Sequence, residues 1–335
     1  MSLDPILLIG GAGVVGRWTA QFLRASHPDV PLLIGGRNLA GANDFAAEIG
    51  PAEGVAVDLA AGDLGLGGRP VSAVVVFFTD EKIAGLRFAQ SWGVPHVSIS
   101  PGIIEIAPEV AAYVHAPRAA PVVLGTEWLV GATTIPTLTF ARAFGRVRDI
   151  TIGALLDEQD AFGPAAGADL ERQTKTMPAA LARRDGAFVW RVGDDAKGRF
   201  HAVDGTEMQA TALSPYDVVG LATALGAPNV RFDLAVGMSS TRRRGGPLST
   251  EIVIELTGED HAGRPLRTRH ALVHSGGQMP PTGLGVAMLL ERLLGLDGNP
   301  PVPAGLYFPY QLLEPAAYLA RLRQSGASIL TLERP

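Results

Sequence analysis

The chain of 335 residues contains no cysteine. That absence excludes disulfides, thiolate metal sites and a cysteine nucleophile together, and it fits a reducing compartment. Lysine is scarce: only Lys82, Lys175 and Lys197 stand among the 28 basic residues. With 33 acidic residues the formal net charge is -5. No basic excess is left to neutralise phosphates, so nucleic acid is not an expected partner. No uncharged apolar run reaches the ~18 residues that span a bilayer. The longest, Ala119 to Ala141, is interrupted by Glu127 and carries Pro121, Gly125, Gly131 and Pro136. The start, Met1-Ser2-Leu3-Asp4-Pro5, lacks the basic opening of a signal peptide. A soluble cytoplasmic protein with no membrane partner is expected. Internal repeats and charge blocks are absent, and the histidines and carboxylates form no compact metal-ligand pattern.

What is present is a core. Hydrophobic residues make up 47% of the chain, and the length suggests about two domains of ~150 residues. The first third alternates short apolar runs with amphipathic stretches. Strands are expected at Ile6–Ile9, Pro31–Ile34, Gly54–Asp58, Val71–Phe78 and Pro95–Ile99. Helices are expected at Val15–Ser26, Leu39–Ile49 and Glu81–Trp92. This alternation builds right-handed βαβ units and a parallel sheet. Runs apolar on both faces fit a sheet covered on both sides. Beyond about Gly125 the rhythm changes. Ile135–Phe144, Leu170–Arg183 and Tyr216–Leu225 read as helices. Residues 149–156, 187–192, 207–213, 229–236, 249–256 and 264–274 read as strands of a mostly antiparallel sheet. Thr282–Leu294 is a strongly apolar helix expected to pack back onto the first domain.

The strongest signal is Gly10-Gly11-Ala12-Gly13-Val14-Val15-Gly16, directly after a buried strand and directly before a helix. Residues 11–16 fit G-x-G-x-x-G, and the strand–loop–helix context makes the pattern specific. Gly11 permits the tight turn, Gly13 lets a pyrophosphate approach, and Gly16 lets the helix lie close to the strand. The N–H groups of the loop, Ala12, Val14 and Val15 included, and the dipole of the helix then hold the anion. The other reading is a glycine-rich turn in a nucleotide-free domain. An NAD site usually places an acidic residue at the end of the second strand. Here that place reads Ile34-Gly35-Gly36-Arg37-Asn38. Arg37 can neutralise a 2′-phosphate and stack on adenine, so NADP is the expected cofactor. Asp58 either touches the adenine or shapes a turn. Phe78 and Thr79 follow the fourth strand, where loops line the cofactor crevice. Asp80 reads as the cap of the next helix. Ser98, Ser100 and Pro101 should lie nearer the nicotinamide.

The expected architecture is α/β. A Rossmann-type parallel-sheet domain takes residues 1–128 plus 281–335, and a second α+β domain with a mostly antiparallel sheet takes 129–280 for substrate binding or dimerisation. Hydride transfer needs placement and a proton donor. None of the five tyrosines has lysine four residues on, which removes the Tyr-x-x-x-Lys solution, and G-x-S-x-G and H-E-x-x-H are also missing. Donor candidates at the domain junction are Glu127, Tyr216 and His274. Glu127 qualifies if burial raises its pKa and is otherwise a structural carboxylate. His270 and His274 share one strand face, as a general acid or as sheet histidines. Thr133 or Thr134 caps a helix or faces the site. Asp157 to Asp160 binds an amine or forms a solvated loop. Arg242-Arg243-Arg244 binds a substrate carboxylate or faces solvent.

The glycine loop, the Ile34 to Asn38 segment and the tail Pro303-Ala304-Gly305-Leu306-Tyr307-Phe308-Pro309-Tyr310-Gln311-Leu312-Leu313-Glu314-Pro315 resemble the saccharopine dehydrogenase-like (saccharopine reductase-like) NADP-binding proteins. The resemblance covers roughly residues 5–130 and 280–333. It implies a Rossmann domain, a second domain that dimerises or covers the substrate, and hydride transfer with NADP(H). Members that are reductases act on imine adducts of amino acids. The expected function is an NADP(H)-dependent oxidoreductase acting on a C=N or C=O bond of a small polar, amino-acid-like metabolite, as a homodimer. A non-catalytic NADP(H) sensor, or an epimerase or synthase that recycles its cofactor, is the alternative.

Overall fold

Ile6–Ile9 (β1) and Ala73–Val76 (β4) are buried at every position, as apolar runs covered on both faces must be. The computed structural model describes residues 3–100, 102–103, 105–160, 163, 167–168, 171–172 and 179–333. Two compact units emerge, the first mainly from residues 3–126 and 282–314. In it β1 leads to α1 (Val14–Ser26), β2 (Leu32–Gly36), α2 (Leu39–Ile49) and β3 (Ala52–Ala56). β4, α3 (Ala84–Trp92), β5 (His96–Ser98), α4 (Ala107–His115) and β6 (Pro121–Leu124) follow. A short strand late in the chain, Gly305–Tyr307 (β15 in chain order), adds to β6. The seven strands are parallel, in the order β15-β6-β5-β4-β1-β2-β3. From β3 to β6 this is the doubly wound Rossmann order, with its switch point between β1 and β4.

α1 buries Gly16, Thr19, Ala20 and Leu23. Trp18 and Phe22 form a ring pair with centroids 5.9 Å apart, and Trp18 stays 37% exposed. The helix Met279–Leu293 brings Gly283 against Trp18, where a Cβ would stand 2.5 Å from the Trp18 Cβ. Only glycine permits that approach. α3 starts three residues later than the expected Glu81, because Ile83 takes a left-handed φ of 47°. β3 runs two residues earlier than expected, and α4 and β15 were not anticipated.

The second unit is built mainly from residues 127–160, 179–281 and 315–333. It holds α5 (Thr134–Ala141) and the long central strand β7 (Phe144–Asp157). β8 (Ala180–Arg184) and β9 (Ala187–Arg191) form a hairpin beside β10 (Lys197–His201) and β11 (Glu207–Ala212). α6 (Asp217–Leu225) precedes β12 (Asn229–Gly237), β13 (Thr250–Asp260) and β14 (Pro265–His274). The sheet order is β10-β11-β12-β7-β13-β14-β16, with the hairpin joined to β12. Only β12 and β7 run parallel; the other pairs are antiparallel. Phe200 packs across Gly153, where a Cβ would lie 2.3 Å from its ring, among Leu155, Ala235, Val253 and Ala271.

Two expectations need correction. Of the helix expected at 170–183, residues 170 and 173–178 lie outside the described residues, 171–172 are helical, and 180–184 form β8 instead, paired to β9 from Ala180↔Arg191 to Arg184↔Ala187. Residues 315–333 do not join the parallel-sheet unit. Their strand β16 (Ala327–Thr331) pairs with β14 from His270↔Thr331 to His274↔Ala327. β14 would otherwise be an open edge carrying unpaired backbone groups.

Candidate functional site

The chain leaves β1 through Gly10, at φ 86°. Gly11 N–H then donates to Leu8 O and Gly13 N–H to Gly10 O, each at 2.9 Å. A Cβ on Gly11 would meet the Leu8 carbonyl at 2.8 Å, and one on Gly16 would stand 2.6 Å from the Gly11 Cα. The two positions are therefore steric requirements of the turn. Gly13 is the N-cap of α1 and offers no side chain to its first turn. The leading N–H groups of α1 thus have no side-chain cap, next to an exposed Gly13 and a Val14 that is 39% exposed. Ala12 and Val15 are half-buried in the same turn. Arg17 braces the loop from behind. Its Nε donates to Ala12 O at 3.1 Å, its guanidinium lies 4.2 Å over the Phe45 ring, and it pairs with Glu48 of α2 at 3.1 Å. Sequence reasoning missed Arg17, although its place one residue after Gly16 was visible.

At the end of β2, Arg37 is exposed, and among the described residues it makes no hydrogen bond or ion pair. A Cβ on the preceding Gly36 would meet nothing within 4 Å beyond its chain neighbours. Asn38 caps α2: its Oδ1 accepts from Gly41 N–H at 3.2 Å. Asp58 resolves toward the turn role, its Oδ1 accepting from Ala60 N–H at 2.8 Å. Phe78 is half-buried with its ring against Gly10, and Thr79 is half-buried beside it. Asp80 is not the N-cap expected of it, a position that falls to Ile83, but its carboxylate accepts from Lys82 N–H at 3.2 Å and from Gly85 N–H, in the first turn of α3, at 2.9 Å. Ser98 closes β5 with its hydroxyl on the Glu109 carboxylate, and Pro101 lies outside the described residues.

In the second unit, Glu127 is buried. The next residue, Trp128, donates its N–H to Asp217 Oδ2 at 2.6 Å, and the Thr134 hydroxyl donates to Asp217 Oδ1 at 2.8 Å. Burial raises Asp217 to about 6 against these bonds. The Tyr318 hydroxyl donates to Val130 O at 3.2 Å, and burial with the nearby Glu127 and Asp217 charges pushes its pKa up. Leu129, Val130 and Gly131 all take left-handed φ, 51°, 54° and 94°. A β-branched residue there is strained, and such strain persists only where packing dictates it. Tyr216, half-buried, is the N-cap residue of α6, directly before Asp217. The Trp128–Asp217 bond thus joins the residue after Glu127 to the residue after Tyr216, and the buried Tyr318 hydroxyl lies near the charges of both Glu127 and Asp217.

His274 is held elsewhere in the unit. Its Nε2 bonds Ser325 O and its Nδ1 accepts from Gly276 N–H, both at 3.0 Å, so the proton sits on Nε2. Burial lowers its pKa, and a neutral, doubly bonded ring has no proton to spare. His270 stacks on Phe140, centroids 3.9 Å apart. Two of the three clustered arginines are consumed internally. Arg242 pairs with buried Asp157 at 2.6 Å, and Arg243 with Asp204 at 2.6 Å. Burial opposes ionisation of Asp157, but bonds from Ser239, Gln159 and Arg242 prevail and hold it at about 2.

No protein-family model matches the chain, and no curated protein does. Among solved structures, apo saccharopine dehydrogenase (L-Glu forming) from Saccharomyces cerevisiae is similar at 14% identity, over 98% of this chain and 100% of that chain, with a TM-score of 0.64. A myo-inositol dehydrogenase from Corynebacterium glutamicum aligns at 13% identity over 100% of both chains, with a TM-score of 0.47. The WlbA dehydrogenase from Thermus thermophilus, in complex with NAD and UDP-GlcNAcA, aligns at 14% identity over 99% of this chain and 97% of that chain, also at 0.47. At such identities the first likeness establishes the fold and nothing finer. The chain is built on a fold similar to that of saccharopine dehydrogenase, a Rossmann-type parallel sheet and a second α+β unit with a mostly antiparallel sheet.

Proposed function

We propose that the protein is an NADP(H)-dependent oxidoreductase, moving hydride to or from the carbon of a C=N or C=O bond in a small polar, amino-acid-like metabolite. The observation that carries this reading is the glycine turn at the head of α1, on a sheet with doubly wound order and with an arginine where an acidic residue would mark NAD. The first-turn N–H groups of α1 hold the pyrophosphate, and the Arg17 contact to Ala12 keeps the turn in shape. Exposed Arg37 takes the 2′-phosphate. When bound, the dinucleotide supplies or accepts the hydride at its nicotinamide. Glu127, buried beside the Trp128–Asp217 bond, is assigned as the proton-holding group in preference to His274, whose two ring nitrogens are already bonded.

The test is a titration of the purified protein with NADPH and with NADH, read by fluorescence transfer and thermal shift. NADPH should bind the more tightly. Arg37→Ser should weaken NADPH by roughly tenfold or more and leave NADH unchanged, since a charge-assisted phosphate contact has this size. Binding of neither cofactor overturns the reading. An Arg37→Ser protein with unaltered preference removes the NADP assignment.

A further inference from the structure

A buried, hydrogen-bonded pair in the first unit, one member of it a carboxyl, has no part in the scheme above. Ser98 is 2% exposed at the carboxyl end of β5, and Glu109 on α4 is 4% exposed. The Ser98 hydroxyl donates to Glu109 Oε2 at 2.8 Å. Among the described residues no cation approaches Glu109. The second charge near it is the Asp80 carboxylate, in the turn after β4. His96 on β5 is buried, and burial lowers its pKa to about 3, so it contributes no positive charge. On α4 and the turn before it, Tyr113 and Glu105 stand four residues to either side, and Glu105 accepts from Gly102 N–H at 2.7 Å. Glu81, Lys82 and Arg87, in and before the neighbouring α3, are exposed. Burial first, opposed by the Ser98 bond and reinforced by Asp80, raises Glu109 to about 7.

The position matters because of the sheet. A dinucleotide lies across the carboxyl edge of a doubly wound sheet, with its pyrophosphate at β1 and its halves to either side. The adenosine half belongs over β2 and β3, where Arg37 stands. The nicotinamide half then belongs over β4, β5 and β6, the side that holds Ser98, Glu109 and Asp80. The oxidised nicotinamide ring carries a positive charge and the reduced ring carries none.

We propose that Glu109 selects the redox state of the bound nicotinamide: as a carboxylate it favours the oxidised ring, and as a neutral acid the reduced ring. This rests on the dinucleotide reading of the first unit. Raising the pH ionises Glu109, so the ratio of the Kd for NADP⁺ to the Kd for NADPH falls with pH. By reciprocity, NADP⁺ binding near neutrality releases protons from the protein. The 2′-phosphate also titrates near neutrality, but both redox forms carry it, so the ratio cancels it.

The experiment measures both Kd values by calorimetry on the full chain, from about pH 6 to about pH 8, in buffers of different ionisation enthalpy. The ratio should fall roughly tenfold across that range, the size expected for one charge pair at intermediate dielectric. Glu109→Gln keeps an acceptor for Ser98 and should flatten the ratio while both cofactors still bind. Ser98→Ala removes a bond that favours the carboxylate and should move the midpoint to higher pH. A wild-type ratio that is flat with pH, with both cofactors bound, overturns the proposal alone. An unchanged midpoint in Glu109→Gln overturns it too. A wild-type chain that binds neither cofactor fails at the earlier step, the dinucleotide reading itself.

Discussion

A methyl group on Gly16 would lie 2.6 Å from the Gly11 Cα, whereas one on Gly36 would touch nothing within 4 Å. The two substitutions therefore separate. Gly16→Ala should destabilise the protein by about 1–3 kcal/mol through overpacking and weaken NADPH binding, while Gly36→Ala should leave both near wild type; urea unfolding and an NADPH titration check this. The glycines were legible because their task is to leave space, and space is written in the residue type. Glu109 and Asp217 were not. Each is defined by burial and by a partner distant in sequence, Ser98 across 11 residues and Thr134 across 83. Nothing in the local sequence marks a carboxyl as buried. His274 shows the same limit from the other side: its type fits a proton donor, while its contacts to Ser325 and Gly276, which occupy both nitrogens, are not written in the local sequence.

At the level of elements, continuous apolar runs and helix caps carried most of the correct reading. β1 and α2 fall where the apolar run and the periodicity place them. Asp80 was placed as a cap, and its carboxylate does hold Gly85 N–H in the first turn of α3, although the helix itself opens at Ala84. Asp80→Ala should cost about 1 kcal/mol, as lost caps do, and amide exchange should quicken first at Gly85. The misread stretch was 180–184. Its polar pattern suggested a helix, but the following Asp185-Gly186 supplies two positive φ values, 50° and 85°, and closes a two-residue hairpin. Asp-Gly is a recognised signal for that turn, and it outweighs a marginal amphipathic pattern.

Across the whole molecule, the parallel sheet of the first unit was recoverable from alternation, because strands joined through helices form right-handed βαβ units. The assignment of the C-terminus was not, since β16 is short and its pairing with β14 spans a long sequence gap. Removing the chain after Glu314 should strip β16 from the second sheet and take Tyr318 from its buried site. The truncated protein should show faster amide exchange along 270–274 and earlier proteolysis there, with the parallel sheet still protected. Equal protection of β14 in both forms would show that the strand adds nothing to that sheet.

The place of β16 after every other strand of its sheet also bears on synthesis. A polypeptide emerging from the ribosome releases residues 1–126 early, and six of the seven parallel strands can assemble while translation continues. The antiparallel sheet must wait, because the strand that covers its β14 edge follows all its other strands in the chain. Until β16 has been made, that margin is open to any nascent neighbour, and a chain stalled before it exposes the edge.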